Sequence, residues 1–92
     1  MTKAKSIFPF NENLLTVVMT VRDNPGESKT KLYRLLTPYM SAGRVCHIFS
    51  ELRERGLIEG DDEIYLSRKG MVFASLVVKI KEEWYRAEED KE

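Results

Sequence analysis

The chain has 92 residues, with 15 Lys and Arg against 15 Asp and Glu, and is 42% hydrophobic and 33% charged. Domains run to roughly 100–150 residues, so one domain is the ceiling, and a chain this short buries only about 60–65% of its unfolded surface. The balance is too apolar for a disordered tail and too charged for a membrane protein, and zero formal charge removes the argument for nucleic acid that an overall basic chain supplies.

The opening Met1-Thr2-Lys3-Ala4-Lys5-Ser6 is basic but leads into no apolar run, because Phe8-Pro9-Phe10 is short and polar Asn11-Glu12-Asn13 follows. No apolar stretch approaches the roughly 20 residues that span a bilayer. The expectation is a cytoplasmic protein without a membrane segment. Asn11 or Asn13 then caps a first helix, with Phe10 placed before it as a hydrophobic staple. The run from Leu14 to Val21 is rich in β-branched residues and suits a buried strand as well. Leu14, Val17, Val18 and Val21 share one helical face behind the cap, which favours helix. Asp23-Asn24-Pro25-Gly26 stops it.

Ser28 caps a second helix over residues 29–36, with Leu32, Leu35 and Leu36 facing inward and Pro38 ending it. Ser41 caps a third over residues 42–55, whose Val45, Ile48, Phe49 and Leu52 follow the i, i+3, i+4, i+7 spacing of a core stripe. Gly56 is the C′ residue that ends it. Leu57-Ile58-Glu59 and Ile64-Tyr65-Leu66 read as short strands around a Gly60-Asp61-Asp62-Glu63 turn. Ser67 caps a last helix running from residue 68 to about residue 88, and the Asp90-Lys91-Glu92 tail is expected to fray. The expected fold is mainly α with a small β-hairpin, in the order α-α-α-β-β-α. It is a winged helix-turn-helix occupying residues 1–92 as one domain, with a core at 11–67 and a C-terminal dimerisation helix at 68–90.

Three stretches carry a family resemblance: Lys29-Thr30-Lys31-Leu32-Tyr33 with Met40-Ser41, then Leu52-Arg53-Glu54-Arg55-Gly56-Leu57-Ile58, then Ile64-Tyr65-Leu66-Ser67-Arg68-Lys69-Gly70. Residues 26–73, about half the chain, resemble the small archaeal winged-helix DNA-binding proteins and, more loosely, the PadR and MarR regulators. The Leu-x-x-x-Gly-Leu-Ile and Tyr-Leu-Ser-x-Lys-Gly patterns are specific for that fold and only general as to function. The resemblance implies double-stranded DNA as partner and dimerisation through the terminal helix.

A recognition helix enters the major groove by its N-terminal half. Opposite the core stripe of the third helix lie Gly43, His47, Ser50 and Glu54, flanked by Arg44, Cys46, Glu51 and Arg53. Ala42 and Gly43 are small enough for close approach, Arg44 is the leading base or phosphate contact, and Ser41 with the first-turn amides suits a phosphate. Lys29 and Lys31 grip backbone, with Thr30 and Tyr39 in the same candidate set, and Arg68 and Lys69 reach it from the base of the wing. Residues 22–55 hold seven basic side chains against four acidic, +3, whereas residues 81–92 hold three against six, −3. Neutrality thus conceals a polarity of the kind a phosphate-facing unit has. The wing tip is acidic and is not expected to insert into DNA.

In the last helix Phe73, Val77, Ile80, Trp84 and Ala87 follow a/d spacing, Val72 and Leu76 form a second stripe, and Met71, Val78 and Tyr85 a third. So apolar a helix needs a partner helix, which makes Phe73, Leu76, Val77, Ile80, Trp84 and Tyr85 the expected homodimer interface. A lone Cys46 and a lone His47 exclude a disulfide framework and a Cys/His metal site within the chain. Without a nucleophile motif, a phosphate loop or paired carboxylates in a pocket, no enzyme, cofactor or small-molecule ligand is expected. The expected function is that of a sequence-specific transcriptional regulator that binds double-stranded DNA as a homodimer with its recognition helix in the major groove; the alternatives are sequence-tolerant coating of DNA and a protein-interaction role without DNA.

Overall fold

Each helix begins where a short polar side chain replaces a missing backbone acceptor. Asn11 Oδ1 accepts from the Leu14 amide at 3.1 Å, Ser28 Oγ from Lys31 and Ser41 Oγ from Arg44, both at 3.2 Å, and Ser67 Oγ from Gly70 at 3.0 Å. Of the two candidate caps for the first helix, Asn11 is the one used. The computed structural model describes residues 11–90 and runs α1 (Glu12–Asp23), α2 (Lys29–Leu36), α3 (Ala42–Glu54), β1 (Ile58–Glu59), β2 (Tyr65–Leu66) and α4 (Arg68–Asp90). The expected Phe10 staple and the last two residues of the expected frayed tail lie outside the described residues. The order is the expected α-α-α-β-β-α, a winged-helix-like arrangement.

The ends follow backbone chemistry. The Asn24 amide donates to Thr20 and Val21 carbonyls and its Nδ2 to Thr20 O at 2.9 Å, so the chain leaves α1 before Pro25. α3 stops at Glu54, one residue earlier than expected, with Arg55 as cap and Gly56 at φ 74°, a conformation that costs glycine nothing. α4 continues to Asp90 rather than stopping near residue 88.

All four residues of the expected α3 stripe are buried, with Val17, Val18 and Val21 of α1, Leu32 and Leu36 of α2, and Ala74 of α4 around them. Leu35 departs from expectation. Two turns of α2 give the core one i, i+4 pair, Leu32 and Leu36, and Leu35, about 100° round the helix from Leu36, is left 39% exposed. In α1, Leu15 is buried while Leu14 is only partly so.

β1 and β2 pair antiparallel, Ile58 opposite Leu66 and Glu59 opposite Tyr65, so one face of the two-residue strands is core and the other solvent. Ile64, expected in the second strand, pairs instead with Glu27: Gly26 N–H donates to Ile64 O at 2.9 Å and Ile64 N–H to Glu27 O at 3.0 Å. This bridge ties the α1–α2 connection to the hairpin.

Ser67 joins α3, the hairpin and α4. Its amide donates to Leu57 O at 3.0 Å and its Oγ to Gly56 O at 2.6 Å, while the same Oγ accepts from Gly70 N–H. Ser67→Ala removes a helix cap and a second hydrogen bond together and is expected to cost about 1–2 kcal/mol. Denaturant unfolding checks it, with a lower midpoint at unchanged slope.

Candidate nucleic-acid interface

The α2–α3 unit is built around one buried seam. Leu32, Leu36, Val45, Ile48 and Phe49 pack within it, and the Tyr33 ring stacks on Phe49 at 5.5 Å between centroids. The connecting turn is closed by Tyr39 and Met40 amides donating to Leu36 O at 2.8 and 3.2 Å. With that seam fixed, helical geometry points Gly43, His47, Ser50 and Glu54 into solvent, and all four are exposed. Ala42 and Arg44 are exposed beside them. A Cβ added at Gly43 would meet nothing within 4 Å, so the start of α3 is open on that side.

The first-turn amides are partly committed. Ser41 Oγ takes the Arg44 N–H, which leaves the amides of Ala42 and Gly43 as the unpaired donors helix geometry provides at this end. They are the groups a phosphate oxygen would meet.

The candidate cations are not equivalent. Among the described residues Arg44 is in no ion pair. Lys29 Nζ lies 5.9 Å above the Tyr33 ring, which steadies its charge near the start of α2. Lys31 Nζ, by contrast, lies 3.6 Å from Glu27 Oε2, so part of its field is already answered. Lys69 Nζ donates to Arg55 O at 3.0 Å and is tied to the end of α3, while Arg68 is exposed. Thr30 and Ser41 are exposed, and Tyr39 on the turn is 73% exposed.

Acidic groups share the distal half of the same face. Glu51 is held by Arg55, Oε2 to Nη2 at 3.0 Å, and Glu54 stands exposed. A groove of about 510 Å³ in this region brings Arg53 together with Lys29, Phe49 and Ser50. Arg53 was expected only on the flank of the reading face. That it lines one groove with Lys29, with Glu54 beside them, has no signature in sequence spacing.

The hydroxyls beside this unit are neutral in the ordinary pH range. Tyr33 is pushed up to about 12, by burial first and by its hydrogen bond with Cys46 second. At the wing, Tyr65 is raised by its hydrogen bond to Glu63. Asp61, Asp62 and Glu63 of the tip are all exposed, and Gly60 at φ 96° makes the turn.

The expected dimer residues divide between two environments. Val77 is 7% exposed against Leu15 of α1, with Phe73 and Trp84 partly buried beside it. Leu76, Ile80 and Tyr85 face outward, as do Met71 and Val72. Lys81 Nζ meets Glu12 Oε1 at 3.2 Å and pins α4 to the start of α1.

Among the described residues no helix is long and apolar enough to cross a membrane, and no group of three His, Cys, Asp or Glu stands together to hold a metal ion. The chain is thus a small helical module with a β-hairpin and no metal cluster among its described residues. No family model matches it, and no curated protein or solved structure matches it either.

Proposed function

We propose that this chain is a winged-helix DNA-binding protein that acts as a homodimer, a sequence-specific transcriptional regulator that places α3 in the major groove of double-stranded DNA. The observation that carries the reading is the start of α3: an open surface of Ala42 and Gly43 and, among the described residues, two amides left free by the Ser41 cap and an exposed Arg44 without an ion-pair partner. Arg44 and His47 face the bases, Lys29, Thr30 and Lys31 with Tyr39 hold the backbone, and Arg68 and Lys69 touch phosphates beside the wing. The acidic wing tip stays off the duplex. Residues 11–67 form the DNA-binding core of one winged-helix unit, and residues 68–90 the dimerisation helix. No catalytic step belongs to this reading.

The two-fold dimer uses the outward apolar residues of α4, Met71, Val72, Leu76, Ile80 and Tyr85, with Phe73, Val77 and Trp84 supporting them from the subunit's own core. It sets two α3 helices about 34 Å apart, one turn of DNA. Sedimentation of Val72→Asp/Leu76→Asp tests it: the wild type is expected to sediment as a dimer and the variant as a folded monomer with at least about 100-fold weaker DNA binding, because the second site is no longer linked to the first.

Binding to a labelled duplex at rising salt tests the partner itself. A dimer that neutralises about six phosphates loses roughly 1,000-fold in affinity between about 50 and 200 mM salt. No binding at low salt would leave the protein-interaction reading. A second DNA reading, coating with little sequence preference, is favoured by the presence of Glu51 and Glu54 on the distal half of the reading face, where they leave few base contacts. Equal affinity for native and scrambled duplexes would select it.

A further inference from the structure

Two grooves of opposite charge flank the distal half of α3. The larger, of about 510 Å³, is lined by Lys29 from the start of α2 and by Phe49, Ser50, Arg53 and Glu54 of α3, so two cations face one carboxylate. The smaller, of about 330 Å³, sets Glu51 and Glu54 against Arg55 and is acidic while His47 is neutral. We propose that the larger groove seats one backbone phosphate of the duplex, held by Arg53 and Lys29 with a hydrogen bond from the Ser50 hydroxyl. The site rests on α3 being the DNA-binding helix, and it adds Ser50 and Arg53 to the contacts assigned above.

Both cations are available. Among the described residues neither Arg53 nor Lys29 is in an ion pair, whereas Arg55 across the helix is held by Glu51 at 3.0 Å. Lys29 is steadied 5.9 Å above the Tyr33 ring, a contact that brings no counter-charge. Phe49, only 4% exposed, gives the groove an apolar wall one helical turn before Arg53. A charged cleft with such a wall concentrates its field on what enters it. The planar guanidinium of Arg53 suits two phosphate oxygens at once. Glu54 on the rim weakens this seat without cancelling it.

Helical geometry places the groove where a strand of the duplex would pass. Gly43, His47, Ser50 and Glu54 run down the middle of the reading face, with Arg44 about 90° to one side of that line and Arg53 about 90° to the other. The Arg53 side is the side of α2, since Cys46 beside it hydrogen-bonds Tyr33. Arg53 is nine residues beyond Arg44, about 14 Å along the axis. The major groove is about 12 Å wide. A helix whose first turns read base edges therefore carries Arg53 out to the bordering backbone, and α2 brings Lys29 to the same border.

Duplex binding of the full chain, followed by anisotropy between about 50 and 200 mM salt, decides it. Arg53→Gln is expected to weaken binding about 10-fold and to flatten the slope of log affinity against log salt by about 1 for each subunit, equally on native and scrambled duplexes. Its unfolding midpoint is expected to match the wild type, because the side chain is exposed. Glu54→Gln is expected to tighten binding a few-fold, and by less in the Arg53→Gln background, since both side chains act on one phosphate. A slope unchanged by Arg53→Gln, with Arg44→Ala still weakening binding, would overturn this site and leave α3 as the DNA-binding helix. A wild type that binds no duplex would overturn both. Saturable millimolar binding of inorganic phosphate at constant ionic strength, read from Ser50 and Arg53 amide shifts, would make the groove a site for a free anion and overturn its assignment to the duplex.

Discussion

Gly70→Ala is expected to lower the thermal midpoint by roughly 10–25 °C, the loss that about 2–4 kcal/mol gives in a domain of this size. Gly70 is in the first turn of α4, where alanine is the better helix former by about 1 kcal/mol, so local propensity predicts stabilisation. Packing reverses the sign. A Cβ at this position would overlap the Leu57 carbonyl oxygen and meet Leu66 Cδ2 at 3.2 Å. The side chain of Leu66 can shift, but the carbonyl cannot. It already accepts from Ser67 N–H at 3.0 Å, and the Leu57 amide is fixed by Leu52 O at 2.9 Å. Accommodating alanine therefore means lifting α4 off the hairpin and loosening the Ser67 junction. Gly43→Ala is the control: nothing lies within 4 Å of the added methyl, so the same exchange in α3 is expected to hold or raise the midpoint. Thermal unfolding of both variants measures the difference. Equal stabilisation by both would show that α4 does not approach Leu57 this closely.

Arg44→Ala is expected to weaken duplex binding by about 100-fold. A well-placed arginine contact to a base contributes about 1–3 kcal/mol, and a dimer loses it twice. Lys31→Ala should cost only a few-fold, because Glu27 already answers part of that charge at 3.6 Å, and Glu27→Ala should tighten binding by freeing it. Glu83→Ala, which breaks only its pair with Arg86, should leave affinity unchanged. Anisotropy titrations at one fixed salt concentration compare the four. Losses of similar size at Arg44, Lys31 and Glu83 would discredit α3 as the reading element.

What was legible in the sequence is what depends on periodicity and on local hydrogen bonding. The Val45, Ile48, Phe49 and Leu52 stripe fixes which side of α3 is core, and therefore which residues are left outside. Ser28, Ser41 and Ser67 each lie four residues before the first large apolar side chain of a periodic run, Leu32, Val45 and Met71, and each caps its helix. What escaped depends on contacts between distant segments. The Glu27–Ile64 bridge joins residues on opposite sides of two helices, and neither flank shows strand alternation. Leu35 was read inward because leucine at i+3 usually is, but two turns of helix present too narrow a face to bury it. Gly70 stood in a resembling motif, yet the reason for glycine there is a carbonyl from across the hairpin.

The candidate site shows the same division. Exposure of Gly43, Arg44 and His47 follows from the stripe, whereas the pairing of Lys31 with Glu27 and the tether of Lys69 to Arg55 rank the cations in a way that spacing does not reveal. For α4, three apolar stripes were expected to exceed what one subunit can cover. Val77, Phe73 and Trp84 are taken up by α1, and the surplus is narrower than expected: Met71, Val72, Leu76, Ile80 and Tyr85. The zero net charge has a similar resolution. An acidic hairpin tip and an acidic end of α4 offset residues 22–55, which hold seven basic side chains against four acidic.

The central claim, that α3 is the element that meets DNA, is tested most directly by an amide chemical-shift titration of the full chain with a duplex at low salt. The account predicts that shifts concentrate at residues 29–31 and 41–47, with smaller ones at residues 68 and 69, while residues 61–63 of the hairpin tip stay in place. Shifts confined to the hairpin or to α4, or a spectrum that the duplex leaves unchanged, would contradict it.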